Sequence, residues 1–209
     1  MARVNSTFLN QYPVLPYTSL RKPLVFVVDM VNGFLRIGNL HDNQMLDIIE
    51  PIQKLLEVED IKSIFIVDEH EKDAREFGAF PPHCIVDSQE NKIIDELAPF
   101  ATSIVKKNST NAFVSKQFQS LLPFIDAYKD IVITGCCSDI CILQFALCFH
   151  AWLNENNKTH QRVIIPLDCI DTYHVDHQHD ADKMNEFSIQ LMKVNGIDIV
   201  QKITYEENA

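Results

Sequence analysis

The 209-residue chain contains no run of 18 or more apolar residues. No transmembrane helix is therefore expected, because a helix needs about 20 apolar residues to cross a bilayer. The first stretch, MARVNSTFLNQYPVLPYTSLRKP, has no apolar h-region and does not read as a secretory signal. Positive charge is scarce: 18 Lys and Arg stand against 29 Asp and Glu, a formal net charge of −11. Phosphate contacts need clustered cations, so no nucleic-acid partner is expected. Internal repeats, low-complexity tracts and an interdomain linker are also missing. None of the six cysteines forms a Cys-x-x-Cys pair. Without a signal they are expected to be reduced thiols of a cytoplasmic protein and not a disulfide framework.

Apolar residues make up 46% of the chain and charged residues 22%, which fits a soluble globular domain. Short apolar runs alternate with helical patterns. The runs are PLVFVVDM (23–30), IKSIFIVD (61–68), TSIVKK (102–107), DIVITG (130–135), RVIIPLD (162–168) and IDIVQ (197–201). Several are near-continuous Val and Ile, as in strands buried on both faces of a parallel sheet. Helices are expected over 45–58, 111–124, 138–156 and 179–196, with Pro51 starting or kinking the first and Asn195-Gly196 stopping the last. The expected fold is α/β, a three-layer αβα domain with a six-stranded, mainly parallel sheet and right-handed crossovers. Residues 1–22 carry Pro13 and Pro16 and show no clear period; they read as an N-terminal arm over the domain or over a neighbouring subunit. Residues 23–209 form the expected domain. The segment between Asp68 and the strand near 102 is too long for a plain crossover, and such loops at strand ends usually carry function.

Ligands of open α/β sheets bind beyond the carboxyl ends of the strands. Three reactive side chains fall there. Asp29 closes VFVVD, Lys107 closes TSIVKK, and Cys141 follows DIVITG by a short turn. If Ser138 caps the following helix, Cys141 sits in its first turn, where free N–H groups and the helix dipole favour a thiolate and can hold an oxyanion. Asp29 can take the thiol proton, and the Lys107 ammonium can hold both anions. The alternatives stand beside this reading: a Cys in a buried helix is usually a small hydrophobe, as Cys148 and Cys169 are expected to be, and an Asp at a strand end is often a turn residue. Adjacent Cys136 and Cys137 have side chains that point apart and make a poor metal site.

VDEHEKDAREFGAFPPHC (67–84) carries a second constellation. Asp68 and His70 stand two apart, on one side of an extended strand end. His83 follows Pro81-Pro82, and Glu76 precedes it by seven residues. Two His and one Asp, with or without Glu, suit Zn²⁺, Mn²⁺ or Fe²⁺; the same charged segment also reads as a solvated loop. His174, His177 and His179 in DTYHVDHQHD form a third cluster, read here as a polar loop leading into the last helix.

Taken together, VFVVDMVNGF, KNSTNAF and ITGCCSDICI resemble, in order, the three motifs of the isochorismatase-like cysteine hydrolases. The resemblance covers residues 23 to about 200 and implies the isochorismatase-like, Rossmann-like hydrolase fold. It implies a triad of Cys141, Asp29 and Lys107, with Lys107 and not Lys106 chosen by its distance from Ala112-Phe113. It also implies a cis peptide between Cys136 and Cys137, with N–H groups of Cys137 and Cys141 on the oxyanion and the Cys136 carbonyl toward the substrate. Asp68, His70 and His83, and less closely Glu76, resemble the metal ligands of the nicotinamidase branch, which implies a divalent metal, Zn²⁺ first and Mn²⁺ or Fe²⁺ otherwise. Phe34 and Phe80 would flank a flat ring. The chain departs from the pattern at Ser138 for Thr, Asn111 for Ser, and Thr110 where an aromatic is common. The implied reaction is nicotinamide plus water to nicotinate plus ammonia, in a homo-oligomer, dimer or tetramer. Alternatives are another small amide such as a carbamoyl compound or a pyrazinamide-like ring, an isochorismatase-type hydrolase, and a non-catalytic binding protein on the same scaffold.

Overall fold

A computed structural model of the chain describes residues 6–205, so residues 1–5 of the expected arm and 206–209 of the expected domain lie outside the described residues. In chain order the elements are α1 (Ser6–Leu9), β1 (Val14–Pro16), β2 (Pro23–Val28), α2 (Asn32–Leu35), α3 (Ile49–Leu56), β3 (Lys62–Asp68), β4 (Ile104–Lys107), α4 (Lys116–Ile125), β5 (Asp130–Cys136), α5 (Leu143–Glu155), β6 (Arg162–Pro166), β7 (Ile170–Asp171), α6 (Ala181–Val194), β8 (Asp198–Val200) and β9 (Lys202–Thr204). The main sheet runs β4-β3-β2-β5-β6-β8 with every pairing parallel. These are the strands expected from the Val and Ile runs.

The sheet has seven strands, not six, because β7 also pairs with β5. The β6 ladder on β5 reaches only Val132, and β7 takes up the same edge at Gly135 and Cys136. A two-residue strand leaves no hydrophobic period in the sequence. A separate parallel pair, β1 with β9, ties Val14–Pro16 of the arm to Lys202–Thr204 and was also unforeseen.

Alternation along β2 separates the two faces. Leu24, Phe26 and Val28 point to the layer that holds α4, α5 and α6; Val25 and Val27 point to the layer of α3. Phe26 meets Phe145 edge-on at 5.3 Å and Phe118 at 5.7 Å. On the other face Ile52 and Leu55 of α3 are fully buried, and Pro51 sits in that helix's first turn, where its missing N–H matters least. Gly196 follows α6 with φ +93, the expected stop. Among the described residues no helix is long and apolar enough to cross a membrane.

At the sheet centre the backbones of β2 and β5 come together just before the paired cysteines. Gly135 has φ +111, and a Cβ there would lie 1.9 Å from the Val28 carbonyl oxygen. Only glycine allows both the dihedral and the approach. Gly135→Ala is expected to destabilise the protein by more than about 3 kcal/mol, read as a fall in the urea midpoint; an unchanged midpoint would contradict this account of the close approach.

Candidate active site

Strand register builds the site. Val28 pairs with both Ile66 and Gly135, and Asp68 pairs directly with Lys107. Asp29, Asp68, Lys107 and Cys136 therefore emerge side by side at the carboxyl edge of the sheet, where α/β ligand sites form. Asp29 adopts a left-handed backbone (φ 52); its N–H donates to the Ile66 carbonyl and its own carbonyl accepts from Val31.

The Lys107 ammonium is the hub. Its Nζ lies 2.8 Å from Asp29 Oδ2, 2.8 Å from Asp68 Oδ1 and 3.7 Å from Cys141 Sγ. All four side chains are buried. Lys106, by contrast, is exposed and pairs with Glu69 at 2.9 Å, away from these groups. Burial pushes the Asp29 carboxyl up; Lys107 pulls it down, Asp68 pushes it up again, and the net is a pKa of about 6. For Asp68 burial also pushes up, but Lys107 and the close His70 and His83 imidazoles outweigh it and the carboxyl stays ionised. Burial works against the Lys107 ammonium, yet the two carboxylates hold its pKa well above normal.

Cys141 lies in a single π-helical turn, Ser138–Ile142, that leads into α5. Two expectations change here. Ser138 does not cap the turn; its hydroxyl donates to Asn185 Oδ1 at 2.5 Å, bracing the turn against α6. The Cys141 thiol is not a resting thiolate either: burial, Asp29 and Asp68 push its pKa well up, and Lys107 only partly offsets them. To act as a nucleophile this thiol would need a base to take its proton. The Cys136–Cys137 peptide is cis, and Cys136 Sγ lies 3.2 Å from the Asp29 carbonyl oxygen. Cys169 is buried, whereas Cys148 is half-buried and accepts from Asn111 Nδ2 at 3.0 Å.

Asp68, His70, Glu76 and His83 come together, with one ligand atom from each within 4.8 Å of every other. The His70 and His83 Nε2 atoms lie 3.1 and 3.3 Å from Asp68 Oδ2, and 3.8 and 4.0 Å from Glu76 Oε1. Each Nδ1 is committed outward, His70 to Asn108 Oδ1 at 2.9 Å and His83 to the Pro81 carbonyl at 2.8 Å. Such outer bonds fix the tautomer and turn Nε2 inward as a ligand. Buried His70 Nε2 has no hydrogen-bond partner of sound geometry. Lys107 pairs with Asp29 and Asp68, and the Glu76 carboxylate faces the two imidazoles with no Lys or Arg ion pair of its own among the described residues. This donor set fits a divalent cation.

Phe34, Phe80, Asp68, Glu76, His83, Thr110, Cys137, Ile140, Cys141, Tyr173 and Leu40 line one narrow cleft of about 20 Å³, roughly the room for one water. Phe34 and Phe80 lie 5.5 and 6.3 Å from the His83 ring. A larger groove, about 1010 Å³, runs between α3 and β9 away from these groups. His174, His177 and His179 do not converge on one another's ligand atoms among the described residues; His174 meets Asp176, and His179 meets Asp139. Sequence reasoning missed Asn108, Phe77 and Tyr173. Asn108 follows Lys107 directly, Phe77 packs on His70 and His83 at 5.3 and 5.6 Å, and Tyr173 stood within the quoted histidine cluster.

A protein-family model described as the isochorismatase domain matches residues 23–192. Nicotinamidase 1 of Arabidopsis thaliana is 26% identical over 216 residues, covering 86% of this chain and 86% of that protein. The crystal structure of N-carbamoylsarcosine amidase from Thermoplasma acidophilum superimposes with a TM-score of 0.68 at 22% identity, covering 90% of this chain and 99% of that one. The nicotinamidase structure from Bacillus subtilis gives 0.69 at 20% identity, covering 86% and 99%.

Chelator-stripped protein is expected to take up a single Zn²⁺ or Mn²⁺ per chain in calorimetry. His70→Ala and His83→Ala should each weaken binding about a hundredfold or more, and Asn108→Ala about 10- to 100-fold through the lost outer bond. Undiminished uptake by the double His variant would remove these residues from any metal site.

Proposed function

The chain belongs to the isochorismatase family, and from that premise we propose that it hydrolyses nicotinamide to nicotinate and ammonia through a thioester on Cys141. The observation that carries the reading is the lining of the cleft. It brings a buried thiol beside an imidazole–carboxylate set and aromatic walls, and among the described residues no Lys or Arg lines it. Lys107 is buried and committed to Asp29 and Asp68. Isochorismate and N-carbamoyl amino acids carry a carboxylate away from the reacting bond, which would need a charged partner of its own besides any metal in a desolvated site. A flat neutral carboxamide does not.

In the proposed cycle Asp29 removes the Cys141 proton, and the thiolate attacks the carboxamide carbon. N–H groups of Cys137 and Cys141 hold the resulting oxyanion. The C–N bond breaks as ammonia leaves with the proton from Asp29. A water then gives its proton to Asp29 and attacks the thioester; the C–S bond breaks, the Asp29 proton returns to sulfur, and nicotinic acid departs, its proton passing in water to the released ammonia to leave nicotinate and ammonium. Lys107 keeps Asp29 oriented and ionised at neutral pH. Asp68, His70, Glu76 and His83 would hold a divalent ion, Zn²⁺ or else Mn²⁺ or Fe²⁺, which would supply Lewis-acid chemistry for a ring nitrogen and a water. The proposal extends to the setting: all six cysteines are free thiols, in keeping with a reducing cytoplasm. It also includes residues 23–209 as the catalytic domain, residues 1–22 as an arm, and a dimer or tetramer to be measured by light scattering.

Ammonia release from nicotinamide tests the reading. Metal-loaded wild type should release it, while Cys141→Ala should lose at least about 10⁴-fold in kcat; no release by metal-loaded wild type would reject nicotinamide as substrate.

The pH profile tests the base. Asp29 must be ionised to accept the proton, and its pKa is raised to about 6. kcat/KM should therefore rise with pH through about 6 and level off above it. A profile flat down to the ordinary carboxylate range would exclude Asp29 as the base.

A further inference from the structure

Tyr173 lines the cleft with Cys141, Phe34 and Phe80, on a loop that the triad and the metal-type set do not use. Its ring lies flat on the His179 imidazole, with centroids 4.0 Å apart and planes 12° apart. That imidazole is fixed at both nitrogens, Nδ1 to the Tyr173 carbonyl at 2.8 Å and Nε2 to Asp139 Oδ2 at 2.8 Å. The other Asp139 oxygen accepts from the Thr172 hydroxyl at 2.5 Å. Asp139 stands two residues before Cys141 in the π-helical turn. One stacked pair therefore joins the nucleophile turn to the cleft wall, and it holds the tyrosine ring in a fixed plane.

Thr110 lines the same cleft and offers no aromatic face. Its N–H is spent on Glu76 Oε2 at 2.9 Å and its hydroxyl on Gln144 at 3.0 Å. Burial, with the Cys137 and Asp139 charges, pushes the Tyr173 phenol up to about 12, so the ring is neutral at any working pH. A neutral aromatic plane, backed by an imidazole and sharing the cleft lining with apolar Phe34, Phe80, Ile140 and Leu40, favours a flat partner through stacking.

We propose that Tyr173 is a specificity-determining residue that selects flat aromatic amides, with His179 as the positioning residue that sets its plane. The proposal deepens the amidase reading above and rests on the same cleft. It also gives the third histidine cluster a task other than metal binding.

Binding of two amides that differ mainly in flatness, benzamide and cyclohexanecarboxamide, separates this proposal from the reaction. Affinities are measured on Zn²⁺-loaded Cys141→Ala protein, in which no turnover consumes the ligand. The parent should prefer benzamide by roughly tenfold, the scale of one well-placed aromatic contact. Tyr173→Leu should cut that preference to less than about twofold, and Tyr173→Phe should keep it. His179→Ala should lower it as well and add nothing further in the Tyr173→Leu background. A parent without the preference overturns the proposal. So does a preference that survives in both Tyr173→Leu and His179→Ala, each checked for native circular dichroism. Failure of wild type to release ammonia from nicotinamide, with the flat-ring preference intact and lost in Tyr173→Leu, rejects nicotinamide turnover and still supports Tyr173.

Discussion

One buried ammonium organises the site. Lys107 Nζ is 2.8 Å from each of two carboxylates and 3.7 Å from the thiol. Taking an ammonium and two carboxylates out of water costs several kcal/mol per ion. The arrangement persists because each ion is the compensation for the others, and removing one partner leaves a buried charge unpaired. The sheet makes this possible without loops. Asp68 and Lys107 are ladder partners on β3 and β4, and Asp29 ends the neighbouring strand. The charges are set by backbone register and so need no reorganisation when a substrate arrives.

The same ammonium links two halves that look separate along the chain. Asp68 gives Oδ1 to Lys107 and Oδ2 to the two imidazoles. Asp29 and Asp68 share one cation but end in opposite states of readiness. Asp68 is held firmly ionised, whereas Asp29 is raised to about 6, close to the pH at which a base must both take and return a proton. The thiol beside them is held neutral. Two carboxylates in one pocket thus rest in different states through their neighbours, with a protonated thiol beside them.

The sheet was legible because buried parallel strands write long Val and Ile runs. Asp29, Lys107 and Cys141 were legible because strand ends are where α/β folds place ligands. The metal-type set was legible from Asp68-x-His70 and the later His83. Other features lay outside what local sequence can show. Strand β7 has two residues. The Ser138 hydroxyl meets Asn185, 47 residues away, and a serine before a helix reads as a cap unless that partner is known. The helix-dipole argument for Cys141 was overridden by burial and two nearby carboxylates, which only the assembled sheet brings close. Tyr173 owes its place to His179 and Asp139, which reach it from a loop and from the nucleophile turn.

The central claim is that the amide carbon passes through a thioester on Cys141. Hydroxylamine competes with water for such an acyl group. The most direct measurement therefore runs metal-loaded protein on nicotinamide with added hydroxylamine and separates nicotinate from nicotinohydroxamate. The account predicts that hydroxamate forms in proportion to hydroxylamine, at the expense of nicotinate. Nicotinate alone, at every hydroxylamine concentration, would show that water attacks the amide directly and would contradict the thioester.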